Sequence, residues 1–343
     1  MRLKDLSARL GLSPTTVSRA LNGYSDVSEY TRQRVINAAR EYGYQPDARA
    51  QSLATGRAMA IGHVIPTSKR HEMVNPVFAD FIAGAGETYA KAGYDMVLRV
   101  VGDADEESVY RDFMSRRRVD GVIVHGPRNH DSRIPLLKSL GFPFVVHGRV
   151  SHEDDTYSWL DMDNRRAFER ATNFLLDLGH RRIALINGLE TMDFAIRRRD
   201  GYLSALSARD IKPDPALMTS DEMTERHGYT AAKRMLAKTS GPTAFLTSSA
   251  IIALGVRRAA LDLGLIIGRD VSIVTHDDEL SYFFSTEEEP MFTATRSSVR
   301  KAGRLAADML LNLIANPNGK PRHKLLEAPL TVGHSTGPAP NGD

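Results

Sequence analysis

The chain has no cysteine, a single tryptophan and no long apolar run among its 343 residues. The absence of cysteine excludes disulfides, thiol catalysis and thiolate metal sites, and fits a reducing cytosol. No window approaches 18 uninterrupted apolar residues, and the N-terminal segment MRLKDLSARL lacks the apolar core and cleavage site of a secretory signal. We therefore expect a cytoplasmic globular protein without a membrane partner.

Positive charge is concentrated at one end of the chain. Residues 1–60 contain nine Lys and Arg against five acids, and the rest of the chain contains 36 against 37. The small N-terminal module therefore carries +4 and the rest of the chain −1, so the whole positive excess lies in the module. Such a basic module favours a polyanionic partner such as nucleic acid.

Three short helices are predicted in this module. Apolar residues recur at helical spacing in LKDLSARL, and Ser13-Pro14 suits the cap and first position of a second helix. A third apolar stripe runs to Gly43. Because only two or three residues separate the first two helices, we predict a helix-turn-helix whose second helix enters the major groove. The alternative is a three-helix scaffold with no role on DNA.

The second helix carries small hydroxyl side chains and one arginine in the stretch LSPTTVSRALNG. Short side chains allow the helix backbone to approach base edges, and Arg19 can reach O6 and N7 of guanine. Ser13 and Ser18 can bind phosphates.

The segment from Leu3 to Arg57 resembles the headpiece of the LacI/GalR family of bacterial transcription regulators. The runs TTVSRALN, VS-x-x-TRQRV and GYQPDARAQSLATG carry this resemblance. It implies a homodimer on double-stranded operator DNA, with Pro14, Thr15 and Arg19 reading bases. The contacts with DNA that we expect in residues 1–45 are Ser13, Pro14, Thr15, Thr16, Ser18, Arg19, Asn22 and Tyr44.

Residues 46–57 form either a flexible linker or a hinge helix. Eight helical residues are marginal alone in water. The resemblance favours a hinge that orders on operator DNA, where Leu53 inserts into the minor groove and bends the duplex. Ala50 lies on the same predicted face as Leu53.

From Met59 onward the pattern changes to alternating strands and helices, which predicts parallel sheets covered on both faces. The predicted strands lie at 60–66, 95–100, 121–126, 142–148, 181–188, 243–249 and 271–277. The predicted helices lie near 78–92, 105–117, 164–178, 194–209, 225–238, 250–263 and 297–315. Two doubly wound α/β lobes with a ligand cleft are the economical solution. Neither a GxGxxG nor a Walker A motif is present, so we expect no cofactor.

The same region resembles the family's effector domain, which is shaped like a periplasmic sugar-binding protein. The matching segments include NPVF, VDGVIV, DMDN, LGHRRIALING, RRRDGY and SIVTHDD. We predict lobe 1 at about 58–160 and 291–320, and lobe 2 at about 161–290 and 321–336. Residues 337–343 are predicted to be a disordered tail, and no metal site is expected.

The effector residues follow from the resemblance. Arg198 and Asp277 match an arginine and an acid that bind the ligand, and paired charge-assisted bonds suit vicinal hydroxyls of a sugar. Phe78 can stack on a sugar face, whereas Arg197 and Arg199 are expected to be solvated. The full set of expected effector contacts is Phe78, His125, Arg149, Trp159, Arg198, Met223, Ser249 and Asp277.

The predicted cleft departs from the common family pattern. Ser249-Ala250 stands where the family often has Asn-Asp, and Gly148 stands where an acid is usual. We interpret this as a roomier cleft for a disaccharide or glycoside, such as an α-glucoside, which would release a repressor from its pseudo-palindromic operator.

Two alternatives to a sugar-responsive regulator remain. One keeps the DNA role with a purine or nucleoside corepressor, and the other is a sugar-binding transport receptor. We do not expect an enzyme, because adjacent side chains in the run His276–Glu279 point in opposite directions on a strand end and cannot bind one metal ion.

Overall fold

The computed structural model describes residues 1–44, 56–66, 75–102, 106–151, 156–281 and 290–340. The chain forms two compact units, one from Met1 to Met59 and one from Ala60 to Asp343.

The N-terminal unit is built from α1 (Leu3–Leu10), α2 (Pro14–Leu21) and α3 (Glu29–Glu41). Ser13 caps α2 by accepting a hydrogen bond from the Thr16 N–H at 3.0 Å. Apolar faces of the three helices meet around Leu6 and Val17, both 0% exposed. The predicted helix-turn-helix headpiece is confirmed.

Strands and helices alternate through most of the larger unit. Its described strands are β1 (Ala60–Pro66), β2 (Asp95–Val101), β3 (Gly121–His125), β4 (Phe144–His147), β5 (Ser158–Met162), β6 (Ile183–Asn187), β7 (Met218–Ser220), β8 (Ala244–Thr247), β9 (Ser272–Asp277), β10 (Thr293–Arg296), β11 (His323–Leu326) and β12 (Leu330–Thr331). Its described α-helices are α4 (Pro76–Lys91), α5 (Glu106–Ser115), α6 (Arg133–Ser139), α7 (Asn164–Asp177), α8 (Asp193–Ser207), α9 (Glu225–Leu236), α10 (Ala250–Asp262) and α11 (Val299–Ala315).

The strands of the larger unit form two sheets. Within the described residues the strand orders are β2-β1-β3-β4-β5-β11 in lobe 1 and β7-β6-β8-β9-β10-β12 in lobe 2. All described neighbours are parallel except β10 and β12. The order reverses between β1 and β3 and between β6 and β8, which is where ligands bind in open α/β sheets. The two-lobed α/β architecture is confirmed.

Helices cover both faces of the sheets and bury apolar residues against them. In lobe 1, α4 and α11 pack on the sheet in a cluster that includes Phe81 and Leu310. These two helices approach so closely that a Cβ on Gly84 would lie 2.0 Å from the carbonyl oxygen of Arg300. Only glycine is tolerated at that crossing.

The lobe boundaries differ from the sequence-based prediction, and the first crossing follows β5 (Ser158–Met162), which pairs with β4 in lobe 1, rather than falling at 160. Strand β10 (Thr293–Arg296) pairs with β9 in lobe 2, and β11 (His323–Leu326) pairs with β5 in lobe 1. The second crossing therefore falls after Arg296 rather than near 290, and the third falls after Leu326 rather than near 320. Both strands are short and gain their partners only in the folded sheet, so local sequence did not reveal them.

The predicted disordered tail is wrong for residues 337–340. The Gly337 N–H donates to Ser272 Oγ at 3.1 Å, and the Ala339 N–H donates to the Leu178 carbonyl at 2.9 Å. These bonds fix the segment against lobe 2; residues 341–343 lie outside the described part of the chain.

None of the described helices combines the length and the apolar character that a membrane-crossing helix needs.

Candidate functional site

The outer face of α2 presents most of the residues that we predicted to contact DNA. Ser13, Pro14, Thr15 and Arg19 are exposed, and Thr16, Ser18 and Asn22 are half-buried. The opposite face is buried through Val17 and Ala20. A helix with one buried face and one face of small polar groups can enter a groove of DNA.

Arg19 is held by two neighbours from the turn after α2. Its Nη2 and Nε lie 2.7 and 3.2 Å from the two carboxylate oxygens of Asp26. Its guanidinium also lies 4.8 Å from the ring centre of Tyr24. The arginine is still 44% exposed, so it remains accessible to a base.

The remaining predicted DNA contacts lie outside α2. Tyr44 packs against the headpiece core and is half-buried. Ala50 and Leu53 lie outside the described residues, so their contact with DNA stays a prediction.

A cavity of about 550 Å³ lies between the two lobes of the larger unit, at the carboxyl ends of the strands. Its volume is within the range of about 300–1,000 Å³ that small-molecule sites occupy. Lobe 1 contributes two phenylalanines and two histidines among other residues, and lobe 2 contributes three arginines, acids, methionines, one phenylalanine and one histidine. The cavity lining includes Phe78, Phe81, His125, His147, Asn164, Met192, Phe194, Arg197, Arg198, Met223, His276 and Asp278.

Arg198 is the central polar group of the lobe 2 wall. Its Nε donates to Asn164 Oδ1 at 2.7 Å, and its Nη1 donates to the Ser248 carbonyl at 2.6 Å. The guanidinium lies between the rings of Phe168 and Phe194, at 5.1 and 4.9 Å. Burial lowers its pKa to about 10, so it stays charged at neutral pH. Among described residues Nη2 has no hydrogen-bond partner, which leaves this nitrogen for a ligand.

Of the neighbouring acids Asp277 and Asp278, Asp278 lines the cavity and Asp277 does not. The Asp277 carboxylate accepts the Glu279 N–H at 2.9 Å and lies 3.3 Å from Arg296. Asp278 instead lies 3.4 Å from Nε2 of His276. Burial opposes ionisation of Asp278, but His276, Arg198 and His147 outweigh it and hold its pKa below the ordinary value. Positions 276 and 278 both face the cavity because strand side chains alternate.

Three other predicted contacts do line the cavity. Phe78 and His125 belong to the lobe 1 wall, where their rings meet edge to face at 5.0 Å. Met223 borders the cavity from lobe 2 and packs near Gly188 and Phe194.

Arg149 and Trp159 are not among the cavity-lining residues. Arg149 Nε donates to Asp161 Oδ2 at 3.2 Å, and its guanidinium lies 5.0 Å from the Trp159 ring. Trp159 is 6% exposed and stacks on His323 at 5.0 Å. Trp159 lies in β5 between β4 and β11, and the structure gives neither residue a position in the cavity lining.

Arg197 is buried, and the prediction that it is solvated is wrong. Its Nη1 donates to Asp161 Oδ2 at 2.8 Å, and its Nη2 lies 2.7 Å from Asp193. Arg199, which forms an ion pair with Glu190, is half-buried.

Ser249 has a structural role in this arrangement. It is 2% exposed, and its Oγ accepts the Ile252 N–H at 3.3 Å to cap α10. It does not line the cavity, because the capping bond turns its side chain towards the helix.

Several cavity residues were missed from the sequence, notably Asn164, His147, Met192 and Asp278. Asn164 follows β5, and His147 is the last residue of β4, so a position at a strand end was the available signal for both.

The charged residues of the cavity lining do not favour an anion. The described lining contains the acids Asp161, Glu222, Glu225 and Asp278 against the arginines Arg197, Arg198 and Arg226. The cavity therefore has no excess of positive charge to attract an anion.

Comparisons with known proteins match both units. The family model described as bacterial regulatory proteins, lacI family, matches residues 2–47, and a periplasmic binding protein-like domain matches residues 172–336. The HTH-type transcriptional regulator AglR of Rhizobium meliloti (strain 1021) is 43% identical over 341 residues, covering 99% of this chain and 96% of the relative. RafR of Escherichia coli is 34% identical over 316 residues and 92% of each chain.

Solved structures of transcriptional regulators also match the chain. A complex of the transcriptional regulator CelR with cellobiose shares 27% identity and a TM-score of 0.72, covering 98% of this chain and 99% of that one. The lac repressor dimer bound to operator and the anti-inducer ONPF shares 25% identity and a TM-score of 0.82, with the same coverage. These proteins are transcriptional regulators and not enzymes, as we expected for this chain.

Proposed function

Because this chain belongs to the lacI family of DNA-binding transcriptional regulators, we propose that it is a homodimeric repressor whose operator affinity falls when a sugar binds between its lobes. The proposed effector is a neutral disaccharide or glycoside, such as an α-glucoside. The observation that carries it is the interlobe cavity, in which Arg198 and Asp278 face aromatic and methionine side chains.

The polar and apolar parts of the cavity suit the two surfaces of a sugar. Arg198 Nη2 and the Asp278 carboxylate supply a donor and an acceptor for hydroxyl groups. Phe78 and Phe194 supply flat apolar surfaces for the C–H face of a pyranose ring. The absence of a positive excess in the described lining argues against a sugar phosphate or sugar acid. The similar structure of CelR in complex with cellobiose supports a disaccharide-sized ligand.

On the DNA side, two copies of α2 would read the half-sites of a pseudo-palindromic operator. Pro14, Thr15 and Arg19 are the proposed base contacts, and Ser13 and Ser18 are proposed phosphate contacts. Leu53 is the proposed minor-groove wedge. Effector binding would change the orientation of the two lobes relative to each other and lower the affinity for operator. Linkage then requires bound operator to lower the affinity for the effector by the same factor.

A purine or nucleoside corepressor is the second candidate. The described cavity has stacking surfaces at Phe78 and Phe194 that would also hold a base. This candidate reverses the sign of regulation, since a corepressor would raise operator affinity.

A thermal-shift screen of the full-length protein against monosaccharides, disaccharides, glycosides and purines tests the proposal. A ligand that binds only the folded state raises the midpoint in proportion to ln(1 + [L]/Kd). A shift with a disaccharide or glycoside, with loss of DNA binding in the same samples, supports a sugar-released repressor. A shift with a purine alone, with tighter DNA binding, would replace it by the corepressor.

A further inference from the structure

Three side chains behind the cavity form a continuous hydrogen-bonded row in lobe 1. Tyr89 Oη lies 3.3 Å from Nε2 of His63, and Nδ1 of His63 lies 2.9 Å from Nε2 of His125. Tyr89 and His63 are buried, at 1% and 0% exposure. His125 is half-buried and borders the cavity. The row therefore runs from the interior of lobe 1 to the ligand-facing wall.

Each imidazole of this row carries one proton at neutral pH. Burial lowers the pKa of His63 to about 3 and holds the pKa of His125 well below its ordinary value. A neutral imidazole has one N–H donor and one acceptor nitrogen. Only two arrangements of protons along the row therefore satisfy the bond between His63 and His125.

The tyrosine hydroxyl decides between these two arrangements. If Tyr89 donates to Nε2 of His63, then His63 Nδ1–H donates to Nε2 of His125, and every donor of the bonded pairs has an acceptor. In the reverse arrangement His63 Nε2–H donates to the tyrosine oxygen. The hydroxyl proton of Tyr89 then has no acceptor among the described residues. A buried donor without an acceptor is costly, so the first arrangement is favoured.

We propose that Tyr89 and His63 are positioning residues that lock His125 in the tautomer with its proton on Nδ1. Because Nε2 is occupied by His63, Nδ1 is the nitrogen that His125 can offer to a ligand. Lobe 1 then presents a neutral N–H donor opposite Arg198 and Asp278. This donor suits a hydroxyl, ring or glycosidic oxygen of the effector. The inference deepens the proposed function and rests on the cavity being the effector site.

The tautomer can be observed without any ligand. Long-range proton–nitrogen NMR correlation of the full-length protein, labelled with 15N in histidine only, distinguishes Nδ1–H from Nε2–H. The variants His63→Gln and His125→Gln assign the two signals. We expect the proton on Nδ1 of both rings. A proton on Nε2 of His125 would overturn the proposal, and this result is independent of which effector the protein binds.

Tyr89→Phe removes the hydroxyl that orders the row and keeps the aromatic packing. Tyr110→Phe is the matched control, because Tyr110 is also buried in lobe 1 and its hydroxyl lies near Arg133 and not in the row. We expect Tyr89→Phe to give a mixture of His125 tautomers, whereas Tyr110→Phe keeps the native signal. An unchanged single tautomer in Tyr89→Phe would contradict the ordering role.

Binding of maltose and cellobiose, followed by calorimetry, tests the ligand contact. For either sugar that binds the native protein, we expect about a twofold loss of affinity in Tyr89→Phe, because an even mixture of tautomers leaves about half of the protein with the proton on Nδ1, and native affinity in Tyr110→Phe. A changed tautomer with unchanged sugar affinity would show that His125 is not the effector donor. If neither sugar binds the native protein, the proposed effector class fails while the NMR result still decides the tautomer.

Discussion

Arg197 in lobe 2 donates to the carboxylate of Asp161 in lobe 1 across 2.8 Å. The same guanidinium contacts Asp193, whose carboxylate also accepts the N–H and Oγ–H of Ser151 in lobe 1 at 2.8 Å. Burial raises the pKa of Asp161 even though Arg197 and Arg149 act in the opposite direction. This buried network therefore fixes the two lobes relative to each other at a cost in desolvation.

Replacing Arg197 with leucine should destabilise the larger unit. The change leaves Asp193 buried without its ion pair and Asp161 with Arg149 alone. Breaking a buried ion pair by removing one partner costs about 3–5 kcal/mol. Urea unfolding followed by the fluorescence of Trp159, the sole tryptophan, measures the loss.

Arg209→Leu is the control for that experiment. Arg209 pairs with Asp177 at 2.6 Å, and the two side chains are 42% and 64% exposed. Because exposed pairs contribute about 0–1 kcal/mol, this variant should stay close to native stability. Equal losses in the two variants would show that the Arg197 network contributes no more than a surface pair.

Arg198→Met should weaken effector binding and leave DNA binding intact. The variant keeps an apolar stem between Phe168 and Phe194 but loses the nitrogen that remains for a ligand. A hydrogen bond to a charged group contributes about 1.5–3 kcal/mol, so affinity should fall roughly 10- to 150-fold. The thermal shift with the effector and its release of DNA measure the change. Arg199→Met is the matched control, since Arg199 pairs with Glu190 and does not line the cavity. A fully inducible Arg198→Met protein would remove Arg198 from the site.

The fold could be predicted because its signals are local. Long buried strands such as AIGHVIP and the apolar stripes of the helices identify two α/β lobes without tertiary information. The short elements β5, β7, β10, β11, β12 and α6 were missed, since they are two to seven residues long and depend on neighbours for stability.

The site was harder to predict than the fold because its members meet only in three dimensions. Asp277 is the last residue of β9 and Asp278 is the next residue. The conformation of the chain at this strand end decides which of the two carboxylates faces the cavity. The contact between His63 and His125 joins positions 62 residues apart. Ser249 has a sequence position typical of a ligand contact, but the helix that begins there uses its hydroxyl as a cap.

The buried histidines should make the larger unit less stable in mild acid. Burial lowers the pKa of His63 to about 3 and that of His147 to about 4, against about 6.5 in the unfolded chain. Below pH 6.5 the unfolded state therefore binds protons that the native state does not. The free energy of unfolding should fall as pH drops, by up to about 1.4 kcal/mol per pH unit for each histidine. Urea unfolding between pH 7.5 and 5.5 measures this slope.

Two variants assign the slope to the buried rings. His147→Gln should reduce it by the contribution of one proton, whereas His130→Gln, which changes an exposed ring, should leave it as in the native protein. Identical slopes in the native protein and in His147→Gln would contradict the assignment.

Arg19→Lys should reduce sequence discrimination more than total DNA binding. Lysine keeps the positive charge but cannot form the planar two-bond contact that arginine makes with guanine O6 and N7. Lysine also cannot form the two-nitrogen contact in which Nη2 and Nε of Arg19 both bind the Asp26 carboxylate. DNA selected from a random pool by the native protein provides the specific sequence. Affinity for that sequence should fall by about 1–3 kcal/mol, roughly 5- to 150-fold, whereas binding to unselected DNA of equal length should change little.

Arg9→Lys is the control for Arg19→Lys, because Arg9 lies on α1 and stacks over Tyr42 at 4.6 Å rather than on the outer face of α2. It should keep native discrimination between selected and unselected DNA. If Arg19→Lys selects the same sequences as the native protein with the same affinity, Arg19 does not read a base, and discrimination must come from Pro14, Thr15 or the bending of the duplex.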